Sequence, residues 1–278
     1  MWGGVPVPHP TPPQTGKKRE VKSRDRVSIA WIDPGQVDGA FMTSIIEVVR
    51  ARSERVDGII RIEGGLLSRQ RNEVVKTFLD HTTAEWLFMI DSDEQLSVQA
   101  FDKIIGTAHA ENRPVVAGLY FGTWPSPGLL PKPVPHLYRQ ADDGVSVVPV
   151  VDYREDTIIE IDAAGTGCLL VHRSVLEMIR ENADPHEGDA WCWFRDLPLN
   201  GLWLGEDLYF CRRIRSLGFP IHAHTGAMLP HRRRYWLDDR QFLAAREAAM
   251  QTRPDQAPEN RPEAPDRDTA DHRPLVHR

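Results

Sequence analysis

Short apolar runs alternate along this chain with segments whose apolar residues recur every three or four positions. Runs of that length predict buried strands, and the wider spacing predicts amphipathic helices. Val27 to Ile32 reads as a first strand, with Phe41, Ile45, Val48 and Val49 on one face of the helix behind it. Gly58 to Ile62 reads as a second strand, followed by a helix striped by Val74, Val75, Phe78 and Leu79 that Ser68 is placed to cap. Trp86 to Ile90 is apolar throughout and predicts a strand covered on both faces. Ser97 then opens a helix carrying Val98, Phe101, Ile104 and Ile105, and Val115 to Tyr120 returns as a strand. Strands alternating with helices imply βαβ units, a largely parallel sheet and the α/β class.

After Tyr120 the rhythm changes. Pro125, Pro127, Pro131, Pro133 and Pro135 mark a long irregular loop, and shorter strands are expected at 145–151, 158–161, 169–171 and 219–222, with helices over 174–182 and 206–216. The division at this point suggests two halves, 26–120 and 121–250, of one core domain. Residues 1–25 and 251–278 are rich in proline and charge and lack apolar periodicity, so both are expected to be disordered tails.

Composition narrows the function. The chain has 278 residues, 41% of them hydrophobic and 27% charged, which is ordinary globular usage. A formal net charge of -6 leaves no positive field for general nucleic-acid binding, so no nucleic-acid partner is expected. The apolar stretches fall short of the ~20 residues of a membrane-spanning helix. No span is predicted, and in the absence of a signal-peptide core the expected location is the cytoplasm of a bacterial or phage-infected cell. Cys168, Cys192 and Cys211 share no CxxC spacing and are expected to be free thiols.

Candidate chemistry concentrates at the ends of the predicted strands. Asp91-Ser92-Asp93 follows the Trp86 to Ile90 strand directly, so two carboxylates leave the carboxyl edge of the sheet, where open α/β sheets bind ligands. A hard cation such as Mn2+ or Mg2+ is commonly held by one or two carboxylates together with substrate phosphates. The same triplet can also serve simply to end a strand. Arg71-Asn72 lies at the start of the preceding helix, where an arginine can meet a pyrophosphate or remain on a solvated face. Glu206-Asp207 opens another helix; acids there are favoured by the helix dipole, but a carboxylate can equally take a proton from an acceptor hydroxyl. Gly205, just before them, lets backbone approach a substrate closely. His222, His224 and His231 offer imidazoles, one of which could complete a metal site with Asp93. A three-histidine zinc site is the rival reading, disfavoured because His222 and His224 share one face of a strand and do not converge with a loop residue seven positions on. Arg232, Arg233 and Arg234 form a local basic run suited to a departing diphosphate.

In this order, Arg71-Asn72, Asp91-Ser92-Asp93, Ala164-Gly165-Thr166-Gly167-Cys168-Leu169-Leu170, Gly205-Glu206-Asp207 and His231 resemble the family 2-like glycosyltransferases of the GT-A fold over residues 27–235. The resemblance implies a mixed, mostly parallel sheet flanked by helices. It also implies transfer of a sugar from a nucleotide-diphosphate sugar, UDP- or GDP-linked, to a glycan, protein or small-molecule acceptor.

By the same resemblance, Asp93 and His231 bind the metal directly, and Asp91 contacts the ribose or a metal-bound water. Ala30, Ile32, Asp33, Arg71, Asn72, Asp91, Ser92 and Arg234 face the donor, while Gly165, Thr166, Gly167 and Gly205 line the acceptor side. Asp207 takes the part of the base of inverting members, assisted by Glu206. The chain departs from the family at His224, where an acidic residue is usual, and at Trp31-Ile32-Asp33-Pro34-Gly35. Two other readings of the same carboxylates are a nucleotidyltransferase and a non-catalytic carbohydrate-binding or virion structural protein. The segment Asp33-Pro34-Gly35-Gln36-Val37-Asp38 lacks the basic residues of the former.

The reading of the tails predicts that removing residues 1–25 and 251–278 shifts the melting temperature by only a few degrees, because such segments have little apolar area to bury. A loss of ten degrees or more in a thermal melt would show that a tail docks on the core.

Overall fold

The apolar runs become the centre of one sheet. In the computed structural model the described residues are 26–124, 131–183, 192–235 and 239–251. The first half comprises β1 (Val27–Asp33), α1 (Gly39–Ala51), β2 (Val56–Glu63), α2 (Leu67–His81), β3 (Trp86–Ile90), α3 (Val98–Thr107) and β4 (Val115–Leu119). Short strands follow: β5 (Phe121–Trp124), β6 (Lys132–Pro135), β7 (Leu137–Gln140), β8 (Val147–Pro149), β9 (Ile158–Ile161) and β10 (Ala163–Ala164). The remainder of this unit is β11 (Cys168–His172), α4 (Arg173–Glu181), β12 (Leu197–Leu199), β13 (Leu202–Leu204), α5 (Glu206–Ser216) and β14 (Ile221–Met228). The last helix, α6 (Asp239–Gln251), belongs to a second compact unit.

The main sheet has seven strands in the order β2-β1-β3-β11-β4-β14-β9. β1 pairs in parallel with β2 and β3, β14 pairs in parallel with β4, and β11 and β9 run antiparallel to their neighbours. The sheet is therefore mixed and mostly parallel, as expected. Helices cover both faces. On one, α2, α4 and α5 pack Phe78, Leu176, Phe210 and Ile214 against Ala30, Leu87, Val115 and Leu169. On the other, α1 and α3 pack Phe41, Ile45, Phe101 and Ile104 against Ile29, Phe88 and Val116.

This topology decides where the site lies. The parallel strands β1, β2, β3, β4 and β14 all end at one edge, and the reversed β11 begins there, with Cys168 opposite Ile90. Asp33, Glu63, Asp91, Tyr120, Gly167 and His231 are therefore collected at a single edge from widely separated parts of the chain.

Three expectations change. Ser68 does not cap α2: the helix begins at Leu67, and its cap residue Leu66 makes no side-chain cap bond. The last core strand, expected at 219–222, runs from Ile221 to Met228, because its register against β4 shifts between Ala223 and Met228 and so absorbs the polar stretch between them. The strand expected at 145–151 shrinks to Val147–Pro149. Of the cysteines, Cys168 and Cys211 are buried and Cys192 is half-buried, and among the described residues none forms a disulfide. Among the described residues no helix is long and apolar enough to cross a membrane.

The helix that carries Arg71 is secured at its far end by Arg173. Its guanidinium donates to the carbonyls of Phe78 (3.2 Å), Leu79 (3.2 Å), Thr82 (2.9 Å) and Ala84 (2.9 Å), and it lies 4.3 Å over the Phe78 ring. Phe78 and Leu79 carry carbonyls of the last helical turn, Thr82 is the C-cap residue and Ala84 lies just beyond it. Replacing Arg173 by Met keeps the stem and removes the donors, so stability to denaturant is expected to fall by about 2–4 kcal/mol. A change below about 0.5 kcal/mol would show that water replaces the cap without loss.

Candidate functional site

Arg71 stands at the centre of the edge. Buried to 5% exposure in the first turns of α2, it reaches three carboxylates. Nη1 contacts Glu206 Oε1 at 2.6 Å and Asp207 Oδ1, and Nη2 contacts Asp91 Oδ1 at 3.2 Å. Burial alone would make the guanidinium easier to deprotonate. Asp207, Asp91 and Glu206 more than reverse that, so its charge is fixed at all ordinary pH. One cation thus joins the end of β3 to the start of α5.

The acids around it are not equally matched. Burial and the neighbouring charge of Asp207 raise the Glu206 carboxyl to about 7, with Arg71 opposing. Burial likewise raises Asp91, against the pull of Arg71. Burial also raises Asp93, but the His231 hydrogen bond and the charges of His231 and Arg233 prevail and lower it. Glu94, which sequence reasoning passed over, is 0% exposed, and neither of its oxygens has a partner among the described residues. Burial, with Asp91 and Asp93 nearby, pushes its carboxyl well above the usual range. Nothing in a single sequence separates Glu94 from any acid following a strand.

His231 comes from the segment after β14, where a backbone bridge pairs it with Glu94. Its Nδ1 lies 2.9 Å from the Phe121 carbonyl, and its Nε2 lies 3.3 Å from Asp93 Oδ2. Sequence and structure therefore agree in bringing Asp93 and His231 together. Beyond this pair, no group of three or more His, Cys, Asp and Glu among the described residues is arranged to hold a metal by itself.

Next to the pair opens a cleft of about 920 Å³, lined by Ile32, Asp33, Gln70, Arg71, Asp91, Ser92, Asp93 and the strap Arg232 to Arg234. Arg232 pairs with Asp38, the cap of α1, and Arg233 lies 3.9 Å from Asp93 Oδ2. Asp33 faces the cleft but is held by Arg61 at 2.7 and 2.9 Å and by the Gly35 amide at 2.8 Å. Two residues expected at the donor have other tasks. Ala30 is fully buried in the core. The Asn72 amide accepts from the Trp193 and Phe194 backbone (2.7 and 2.9 Å) and donates to the Phe194 carbonyl (2.8 Å), which fixes the approach to β12.

On the other side of Arg71 lies the loop Gly165-Thr166-Gly167. Tyr120 explains its glycines. A Cβ at Gly165 would collide with the Tyr120 hydroxyl, and one at Gly167 would meet Tyr120 Cζ and Asp91 Oδ2 at 2.9 Å, besides Glu94 Oε1. The Tyr120 ring packs between His136 and His231, with centroids 4.7 and 5.4 Å away. Both Tyr120 and His136 escaped sequence reasoning, because their closeness to the loop depends on the pairing of distant strands. Thr166 is 1% exposed and donates to Asp207 Oδ1. Gly205, by contrast, faces open space, and a side chain there would meet nothing.

No family model and no curated protein sequence matches the chain. The solved structures that match the chain include A197 from STIV and GalNAc-T7. A197 from STIV is 18% identical with a TM-score of 0.42, over 72% of this chain and 82% of that one. GalNAc-T7, solved with UDP, GalNAc and Mn2+, is 11% identical with a TM-score of 0.48, over 77% of this chain and 45% of that one. The chain thus spans less than half of the GalNAc-T7 structure, and neither likeness is close enough to bear on chemistry.

The raised Glu206 carboxyl has a consequence for stability. An acid whose folded-state value lies above its unfolded one stabilises the fold fully below the unfolded value, near 4.5, and that contribution is lost as pH rises through about 7. Relative to wild type, Glu206→Gln is therefore expected to gain on the order of 2 kcal/mol between pH 4.5 and pH 7.5 in denaturant titrations. A difference that stays constant across that window would show that Glu206 ionises normally.

Proposed function

We propose that this chain is a metal-dependent glycosyltransferase with a GT-A arrangement, moving a sugar from a UDP- or GDP-sugar to an acceptor hydroxyl on a glycan, protein or small molecule. The observation that carries the reading is the orientation of His231. A carbonyl can only accept, so the Phe121 carbonyl assigns the proton of a neutral imidazole to Nδ1. Nε2 then directs a lone pair at Asp93 Oδ2, 3.3 Å away. In that neutral form two electron-rich atoms face each other, and a metal ion held by both would take the place of the proton that a charged imidazole donates to Asp93. Carboxylate and imidazole together suit Mn2+, or Mg2+ with waters and phosphate oxygens completing the shell. The Phe121 carbonyl is the kind of outer partner that orients a ligating histidine.

A divalent ion held there would offset the charge that diphosphate oxygens gain as the sugar departs. The chain's own groups do the rest. Arg233 and Arg234 face the cleft and would hold the diphosphate, while Asp33, Ile32 and Gln70 shape the end that would take nucleoside. In this reading residues 32–93 of the first half, joined by His231 and Arg232 to Arg234, serve the donor, and the Gly165-Thr166-Gly167 loop with Asp207 serves the acceptor. Asp207 Oδ2, which has no donor among the described residues, would take the proton of the acceptor hydroxyl. The acceptor oxygen then bonds to the anomeric carbon, and the bond from that carbon to the phosphate oxygen breaks with its electron pair leaving on the diphosphate. Attack opposite the leaving group inverts the anomeric configuration.

Calorimetry with UDP and with GDP tests the donor site. Mn2+ is expected to be required for tight binding, and Asp93→Ala is expected to weaken the Mn2+-dependent binding by about 10²-fold. Equal affinity in Mn2+ and in EDTA would contradict the metal. Binding without any turnover of nucleotide sugars would favour a non-catalytic carbohydrate-binding protein, and release of pyrophosphate rather than nucleoside diphosphate would favour a nucleotidyltransferase.

A further inference from the structure

We propose that Thr166 is a positioning residue for Asp207, fixing which carboxylate oxygen is presented to the acceptor; this rests on the reading of Asp207 as the base. The loop that carries Thr166 is wedged between the two carboxylate sites. The Gly167 carbonyl accepts from the Asp91 amide at 2.9 Å, and the Gly167 amide donates to the Tyr120 hydroxyl at 3.2 Å. With Gly165 and Gly167 bare so that Tyr120 and the acids fit, Thr166 is the only member of Gly165-Thr166-Gly167 that carries a side chain. That side chain is closed off from solvent, which removes it from direct contact with a bulky acceptor and leaves its hydroxyl on Asp207 Oδ1.

The same oxygen also receives Arg71 Nη1. Two donors on Oδ1, one neutral and one cationic, hold the carboxylate plane and leave Oδ2 as the oxygen with free lone pairs. The two donors differ in what they can do. Arg71 Nη1 is shared with Glu206 Oε1, so the guanidinium alone allows the carboxylate to turn between orientations. The hydroxyl of Thr166 adds a single direction, and a β-branched side chain has little freedom at χ1 to follow if the carboxylate turns. Base catalysis needs the accepting oxygen within hydrogen-bond reach of the proton it removes, so loss of that direction costs rate rather than donor affinity.

Three variants, compared with wild type in transfer from the nucleotide sugar that supports turnover, test this. Thr166→Val keeps shape and removes the hydroxyl. It is expected to lower kcat about 10- to 100-fold, the loss of one hydrogen bond to a charged acceptor, with the donor KM and Mn2+-dependent UDP or GDP affinity unchanged. Thr166→Ser is expected to recover most of the rate. In the Asp207→Asn background, adding Thr166→Val is expected to change the residual rate less than twofold, because the two act through one group. A Thr166→Val enzyme at half the wild-type kcat or better overturns the inference while leaving Asp207 as base. So does a further tenfold loss in the Asp207→Asn background. Wild-type turnover by Asp207→Asn alone overturns the base assignment and this inference with it.

Discussion

A single buried guanidinium holds together an edge that would otherwise fly apart. Asp91, Asp93, Glu94, Glu206 and Asp207 gather where β3 ends and α5 begins, and Arg71 neutralises only part of their charge while touching three of them. Burial disfavours the charged form of these acids and their mutual repulsion adds to it, and this shows in the upward displacement of Asp91, Glu94 and Glu206. Removing one partner of such a cluster is expected to be far more damaging than replacing an exposed pair, because the remaining acids are left without compensation. In the proposed reading, the neighbouring Asp93 and His231 would seat a second, exchangeable cation beside this cluster.

The fold exists in the form it does because of where that edge must be. Five strands point one way and deliver their carboxyl ends to one line, and the reversed β11 lets the Gly165-Thr166-Gly167 loop enter the same line from the opposite direction. Arg173 secures the tail of α2 so that its head can carry Arg71, and Asn72, the next residue, fastens the backbone that leads toward β12, β13 and α5. The side chains that meet at the edge are thus placed by elements far apart in the chain, each anchored on its own core face.

Much of this was legible beforehand, for identifiable reasons. The run Trp86 to Ile90 announced a strand covered on both sides, and its end at Asp91 located the edge. Glu206 to Ser216 was readable as a helix at its observed bounds. What escaped was what depends on distant partners. β14 was cut short because His222, His224 and Thr225 do not look like a buried strand until its other neighbours, β4 and β9, are known. The hairpin of β12 and β13 did carry a local signal: Asn200 and Gly201 form a two-residue turn with φ of 50° and 80°. Arg71 was legible as a cleft residue near a helix start, but not its three carboxylate partners, which come from distant parts of the chain. Thr166 was assigned to the acceptor side through a resemblance, and only the packing of Tyr120 against its glycines shows why its side chain points at Asp207.

The claim on which the account turns is that Asp93 and the Nε2 lone pair of His231 hold one divalent cation in a region of excess acid. Pulsed electron paramagnetic resonance of Mn2+ bound with UDP or GDP examines it without reference to turnover. With histidine labelled by 15N, a nitrogen coupling to the manganese is expected, and it should vanish in His231→Asn while the coupling to diphosphate phosphorus remains. A manganese signal coupled to phosphorus alone in the wild-type protein would contradict the account, since it would mean that His231 faces Asp93 through a proton and that the metal, if used, sits elsewhere.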